Sequence, residues 1–396
     1  MNELKANYHT HTTFCDGSDT AEAVVQEALQ KGFTHLGFSG HMDPGVQMDY
    51  TAYAQEICRL QAAYRDRIDI LRGAELDNVY DPSCVAGAAA HGSAGAMPST
   101  LRMNMALPDA PGASAASGAF WAPGAHSGDD FAAPGAEYTI GSTHFVPVPG
   151  SSVWSATAAF GTHREGSENW DLIGVDGDIG MLHDQCRQYY GGDFYALSAD
   201  YYRFEAMVAA RLHPTFIGHF DLITRFNDLS RADGGHFLDE TSERYLLPAR
   251  RAMEALVPFE LPVEINCGAV NRGRKKELYP RPELLRHLHA LGGEILISAD
   301  AHQKELLDGG FEEAMEVARW AGFTHTNLLV RRMGAAECQE QTIVRNKIKP
   351  VNPEIQGTEV YPCAARMERN ITASLRPAKN TQADEGGTLY WRMMEI

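Results

Sequence analysis

The segment NYHTHTTFCDG, residues 7–17, ends a short apolar and polar alternation on two histidines one residue apart, His9 and His11. In an extended chain residues i and i+2 share a face, so the two imidazoles project side by side and can share one divalent ion. A histidine pair also occurs as ordinary polar surface, so the reading depends on what the rest of the chain places beside it. Further acids and histidines fall at the ends of expected strands: His41 in GFSGHMD, Glu75 and Asp77 in GAELD, His144 in IGSTHF, His219 and Asp221 in IGHFD, Glu264 in VEIN, and Asp300 and His302 in ISADAH. Strands of a parallel barrel all end on one face, where imidazole and carboxylate ligands for first-row metals would meet in one pocket. Arg225 in DLITRFN and Arg272 in NCGAVNRG follow two of those strands. Both would lie in loops on that same barrel face, where a guanidinium can bind oxyanion oxygens bidentately, and this position favours the pair over Arg203 and Arg274.

The elements that must position these groups alternate between β and α patterns from the start, as in a parallel α/β architecture. The first strand is expected to end at His11. A helix follows, with Asp19 and Glu22 as a capping box, a stripe of Ala21, Val24, Val25, Ala28 and Leu29, and a stop at Lys31-Gly32. Further strands are expected in THLGFSGH, IDILRGAELD, EYTIGSTHF, TFIGHFD, LPVEIN and EILISADAH, with a helix over Tyr53–Tyr64. Residues 82–136 carry 17 Ala and 8 Gly in 55 positions, and only Arg102, Asp109, Asp129 and Asp130 are charged. So few large side chains cannot offset ordering entropy, and this stretch reads as an irregular insertion. The tail from about residue 331 to 396 lacks clear periodicity, and VPGSSVWSATAAFGTHREGSENW is a smaller irregular patch. The expected division is a barrel over 1–330, interrupted by the irregular insertion 82–136, and a tail over 331–396 whose structure the sequence does not specify.

The chain has 396 residues, 44% of them hydrophobic, enough for a sizeable core. Its formal charge of −18 opposes nucleic acid and anionic lipid as partners, although bound cations would invert the sign locally. No apolar run is long enough to span a bilayer, and Met1-Asn2-Glu3-Leu4-Lys5 leads into the first strand without an apolar signal core, which suggests a cytoplasmic protein. Its seven cysteines, Cys15, Cys58, Cys84, Cys186, Cys267, Cys338 and Cys363, are scattered and never form a CxxC pair, as for free thiols in a reducing compartment.

Several residues have plainer readings. His91, His126, His163 and His183 are expected to be hydrogen-bonded or surface histidines, and Cys15 and Cys267 to pack as small hydrophobes. Asp77 and Asp221 could orient ligand histidines or form salt bridges, Glu264 could be a buried structural acid, and the KK of RGRKKELYP reads as a solvated loop.

YHTHTTFCDG, GFSGHMD, GAELD, YTIGSTHFV, VDGD…YYGGDFYALSADYY, IGHFDLITRFN, VEINCGAVNRGRKKELYP and ILISADAH occur in an order that resembles the histidinol-phosphatases of the PHP family, the polymerase and histidinol phosphatase group. The resemblance covers most of residues 5–80 and 137–327. It implies a distorted β/α barrel of about seven parallel strands, with the insertion and the tail as departures from the usual pattern. It also implies two or three divalent ions, such as Zn, Mn or Fe, that activate water against a phosphate monoester. Carried over, His9, His11, Glu75 and Asp300 would hold one metal, with Glu75 and Asp300 in the catalytic role. Glu75 would bridge to a second ion held by His144 and His219. Asp16, His41 and His302 would complete a third site. The implied substrate is the small molecule L-histidinol phosphate, in histidine biosynthesis. The alternatives are another small phosphate ester, or a non-catalytic metal-binding scaffold.

Overall fold

The computed structural model describes residues 5–42, 46, 48–79, 135–151, 172–331, 376–377 and 389–396. Nearly all of the Ala/Gly-rich insertion, most of the second irregular patch and most of the tail therefore lie outside the described residues, as do His91, His126 and His163.

Seven strands form one parallel sheet in the order β1 (Ala6–Asn7), β2 (His35–Met42), β3 (Asp69–Asp77), β4 (Tyr138–Ser142), β7 (Phe216–Ile217), β8 (Val263–Asn266) and β9 (Ile295–Ser298). The two edges meet: Thr10 bridges Ala301 in parallel, His11 N donates to Ala301 O at 2.9 Å and Ala301 N to His9 O at 3.1 Å. Helices cover the outside, so the architecture is a distorted, nearly closed β/α barrel. A separate hairpin, β5 (Phe145–Pro147) with β6 (Leu172–Gly174), follows β4.

Local sequence explains these elements. The helix Ala21–Gln30 buries Ala21, Val24, Val25 and Ala28, and stops at Lys31 before Gly32, whose φ of +76° favours glycine. Its cap, however, is Thr20, which accepts from Ala23 N, and not Asp19. Asp19 instead accepts from Lys304 N at 3.0 Å, and Glu22 pairs with Arg59 at 2.8 Å. The second helix runs Tyr50–Tyr64, starting about one turn before the expected Tyr53, because Asp49 caps it by accepting from Ala52 N. The first strand also stops early, at Asn7; its continuation to His11 is held by the barrel-closing bridge instead of a regular ladder.

Inside the barrel, Tyr138 lies where Gly37 and Gly73 leave room: a Cβ on either would collide with its phenol group. Its hydroxyl donates to Tyr8 O at 2.6 Å and also lies 3.0 Å from Phe38 O. The end of the chain, whose sequence lacks clear periodicity, contributes a regular strand. β12 (Leu389–Glu395) pairs antiparallel with the whole of β10 (His325–Arg331) and with β11 (Arg376–Pro377). Leu389 and Trp391 are buried with Tyr8, Tyr138, Phe216 and Leu329. Arg331 reaches Asp69 at the start of β3, and Asn327 reaches Ile295 O at the start of β9, so this small sheet plugs the N-terminal end of the barrel.

Candidate metal centre

The opposite, C-terminal end carries all nine residues read as ligands: His9, His11, Asp16, His41, Glu75, His144, His219, Asp300 and His302 fall into four overlapping groups of neighbouring donor atoms. The groups are His11, Asp16, His41 and His302; His9, His11 and Asp300; His9, Glu75 and His219; and His41, Glu75 and His144. Glu75 is the hub. One of its oxygens lies 3.2 Å from His9 Nε2, 3.5 Å from His11 Nε2 and 3.2 Å from His41 Nδ1. The other lies 2.8 Å from His219 Nε2, 3.5 Å from His144 Nε2 and 2.7 Å from Ser142 Oγ, which donates to it. Asp300 Oδ1 stands 3.3 Å from His11 Nε2 and 3.7 Å from His9 Nε2. Asp16 spans His41, His11 and His302 at 3.5, 3.6 and 3.0 Å. The groups keep His9, His11 and Asp300 together and Asp16, His41 and His302 together, as expected, while around Glu75 His219 groups with His9 and His144 with His41, and His11 also joins the Asp16 group.

These residues fit divalent ions. Donors about 2.1 Å from a tetrahedral ion stand roughly 3.4 Å from one another, which is the range of separations seen here. His9 Nε2, His11 Nε2 and Glu75 Oε2 are buried and make no hydrogen bond, an arrangement that costs free energy unless something charged sits between them. Neighbouring acids fix which nitrogen faces inward. Glu264 lies 2.7 Å from His9 Nδ1, and Asp77 lies 3.0 Å from His144 Nδ1, leaving each Nε2 for the cluster. Asp77 thus takes the orienting role of its two expected ones, and also accepts from His144 N at 2.7 Å. Glu264 is held in turn by His219 N at 2.8 Å and Asn266 Nδ2 at 2.9 Å. Asp221 fills neither expected role and instead accepts from the hydroxyls of Tyr202 and Tyr245 and from Arg281 N.

Electrostatics follow from this crowding. Burial disfavours charge on Glu75, but His9, His41 and His144 hold its carboxyl well below the usual range. Burial likewise opposes ionisation of Asp300, yet His9 and Arg272 keep it an anion. Burial would neutralise His144, but Glu75 and Asp77 carry its pKa to about 10. His11 goes the other way, to about 3, through burial and the neighbouring His302 and His41. In the ion-free protein protons balance part of the carboxylate charge, and bound cations would replace them. Asp300 holds its position with φ +47°, a left-handed backbone uncommon for a residue with a side chain.

The two selected arginines differ in what they touch. Arg272 reaches into the cluster, with Nη1 2.6 Å from His302 Nδ1 and Nη2 3.4 Å from Asp300 Oδ2. Arg225 pairs with Asp176 at 3.1 Å, a partner that the sequence pattern does not single out. Ser142 also escapes the sequence pattern, although it stands two residues before His144 in the same GSTH segment. The Tyr279 hydroxyl is buried without a hydrogen-bond partner; burial raises its pKa well above normal, against the opposing charges of Arg225 and Arg272. Cys267 is buried as expected, Cys15 Sγ lies 3.6 Å from His11 Nδ1, and His183 bonds to Gly234 O at 2.7 Å. The KK expectation needs correction: Lys276 is exposed, but Lys275 is buried and paired with Glu240 at 3.0 Å.

A nearly closed parallel barrel with this cluster at its C-terminal end defines the class of protein. The PHP domain model matches residues 7–266, and the chain belongs to that family. Among curated proteins it is 23% identical over 312 residues to a probable histidinol-phosphatase of Schizosaccharomyces pombe, covering 74% of this chain and 79% of that protein. It is 36% identical over 78 residues to the histidinol-phosphatase of Lactococcus lactis, a match spanning only 18% of this chain and 29% of that enzyme. Two solved structures share the fold. One is a Listeria monocytogenes protein provisionally assigned as a histidinol phosphatase, with TM-score 0.54, 15% identity and coverage of 78% of this chain and 99% of that one. The other is the Lactococcus lactis histidinol phosphate phosphatase complexed with Zn, L-histidinol and phosphate, with TM-score 0.50, 20% identity and coverage of 82% and 95%. Family membership and these relatives support a phosphoesterase, a hydrolase whose His, Asp and Glu clusters suit metal ions. Among the described residues no helix is long and apolar enough to cross a membrane.

Proposed function

We propose that this protein hydrolyses L-histidinol phosphate to L-histidinol and inorganic phosphate, with two or three divalent ions held by His9, His11, Asp16, His41, Glu75, His144, His219, Asp300 and His302. The observation that carries the reading is the convergence of buried, hydrogen-bond-free donor atoms on Glu75, with Arg272 against Asp300 beside them. Ions bound there would supply Lewis acidity, making water nucleophilic at neutral pH and neutralising charge on the phosphoryl group.

The chain's own residues do the rest. Glu75, still ionised while fully buried, brings opposing charge to bear on several ligand sets at once, and Ser142 fixes one of its oxygens. Glu264 and Asp77 hold His9 and His144 in the orientation and tautomer that present Nε2. Arg225 and Arg272 grip phosphate oxygens and align the ester for in-line attack, in which water oxygen bonds to phosphorus as the ester P–O bond breaks and the alcohol leaves. Glycine at 268 is part of the device: a Cβ there would stand 2.7 Å from Asp300 Oδ2 and 3.0 Å from Arg272 Nη2. The catalytic unit in this reading is the barrel together with its C-terminal strand.

Phosphate release from a panel of small phosphate monoesters tests the substrate. L-histidinol phosphate should give the highest kcat/KM. A panel in which another ester is turned over faster, with L-histidinol phosphate inert, would replace the substrate while keeping the phosphoesterase.

A further inference from the structure

Arg225 and Arg272 stand on different loops, after β7 and after β8, and their guanidinium groups must meet one phosphate. We propose that Glu240 is the positioning residue that sets the two loops in register, an inference that rests on the phosphate-gripping role of those arginines. Its carboxylate, on a side chain 11% exposed, accepts from Asn227 Nδ2 at 2.6 Å and from Lys275 Nζ at 3.0 and 3.1 Å, and stands 3.7 Å from Arg281 Nη1. Asn227 lies two residues beyond Arg225, and Lys275 three beyond Arg272, so one carboxylate ties the first loop to the second.

The contacts around it belong to the same joint. Asn227 further braces its own loop through Leu238 O and N, each at 3.0 Å, and Lys276 N donates to Asp228 across the joint at 2.7 Å. The Lys275 side chain is only 1% exposed, which is unusual for lysine and tolerable because Glu240 neutralises it. A buried pair of this kind adds little net stability compared with apolar residues of similar size, but it fixes geometry, which is what a two-loop phosphate grip requires.

The test follows from that distinction. The double variant E240L/K275M removes both charges together, and Arg281 keeps Glu283 at 2.8 Å and Glu277 at 3.7 Å, so no buried charge is stranded. In the metal-loaded protein, binding of inorganic phosphate is measured by calorimetry, with metal content and melting temperature on the same samples. The double variant should melt near wild type and retain its metal, while phosphate affinity drops about tenfold. In an R225A/R272A background the same pair of changes should have no further effect, because nothing is left to position. E240Q, which strands the lysine, should lose both phosphate affinity and stability. A folded, metal-loaded double variant with wild-type phosphate affinity would overturn the proposal, as would an equal loss in the background lacking both arginines. If wild type binds phosphate but does not hydrolyse L-histidinol phosphate, the substrate reading fails and the register test still decides; if wild type binds no phosphate, the arginine grip and its register fall together.

Discussion

The two ends of the barrel bury polar groups in opposite ways. At the N-terminal end, the Tyr8 hydroxyl donates to Leu329 O at 2.7 Å and accepts from Leu329 N at 3.1 Å, and the Tyr138 hydroxyl is held by backbone carbonyls. The ionisable carboxylate buried there, Glu137 just before β4, is paired with Arg331, and Thr326 Oγ1 and Asn327 Oδ1, which make no hydrogen bond, are neutral and belong to one strand. At the C-terminal end the buried atoms that make no hydrogen bond include His9 Nε2, His11 Nε2 and Glu75 Oε2, which are ionisable, come from different segments and lie within 3.5 Å of Glu75 or belong to it. Polar groups that satisfy one another hold a fold together. Ionisable groups that converge without satisfying one another mark a place for an outside charge, and the barrel keeps these two arrangements at opposite ends.

Removing the hub should have the largest effect. Glu75→Gln keeps shape but loses the charge that balances neighbouring cations, so turnover should fall by about a thousandfold or more, with metal lost and the fold retained. Circular dichroism and metal analysis on one sample check this, and full activity would refute the shared-ligand arrangement. Trp391→Ala, at the plugged end, should show the converse. Loss of its buried ring should cost about 3–5 kcal/mol of stability, while the protein that stays folded keeps wild-type KM and metal content. Next come the orienting acids: Glu264→Gln or Asp77→Asn should weaken metal affinity by about 10- to 100-fold, read by competition with a chelating dye.

A smaller effect concerns pH. The folded pKa of His144, about 10, lies above the ordinary histidine value, so its share of stability is complete below about pH 6.5 and is lost as pH rises through 10. Ion-free protein should therefore lose on the order of 4 kcal/mol between those limits, and metal-loaded protein much less, because the proton has already been displaced. Equal slopes in thermal melts of the two forms would remove the contrast between them.

Much of this contrast was legible in the sequence, because strand ends can be read from β-type runs and a parallel barrel gathers them on one face. That logic located His41, Glu75, His144, His219 and Asp300. What stayed hidden depends on partners far along the chain. β12 is separated from β10 by residues 332–388, and its pairing across the barrel floor depends on Leu389 and Trp391 fitting under Tyr8 and Tyr138. Lys275 looks solvated beside Lys276 until Glu240, 35 residues away, is brought against it. Asp19 and Thr20 are both competent caps, and the choice went to Thr20 because the Lys304 loop takes Asp19.

The central claim is that the C-terminal end of the barrel is a multi-ion phosphoesterase centre built on Glu75. It is tested most directly by measuring bound divalent metal and phosphate release from L-histidinol phosphate on the same preparations of wild type and Glu75→Gln, before and after chelation. The account predicts two or three ions per wild-type chain, phosphate release that chelation abolishes and metal restores, and neither ions nor release in the variant. Undiminished phosphate release from metal-free wild type, or from the variant, would contradict it.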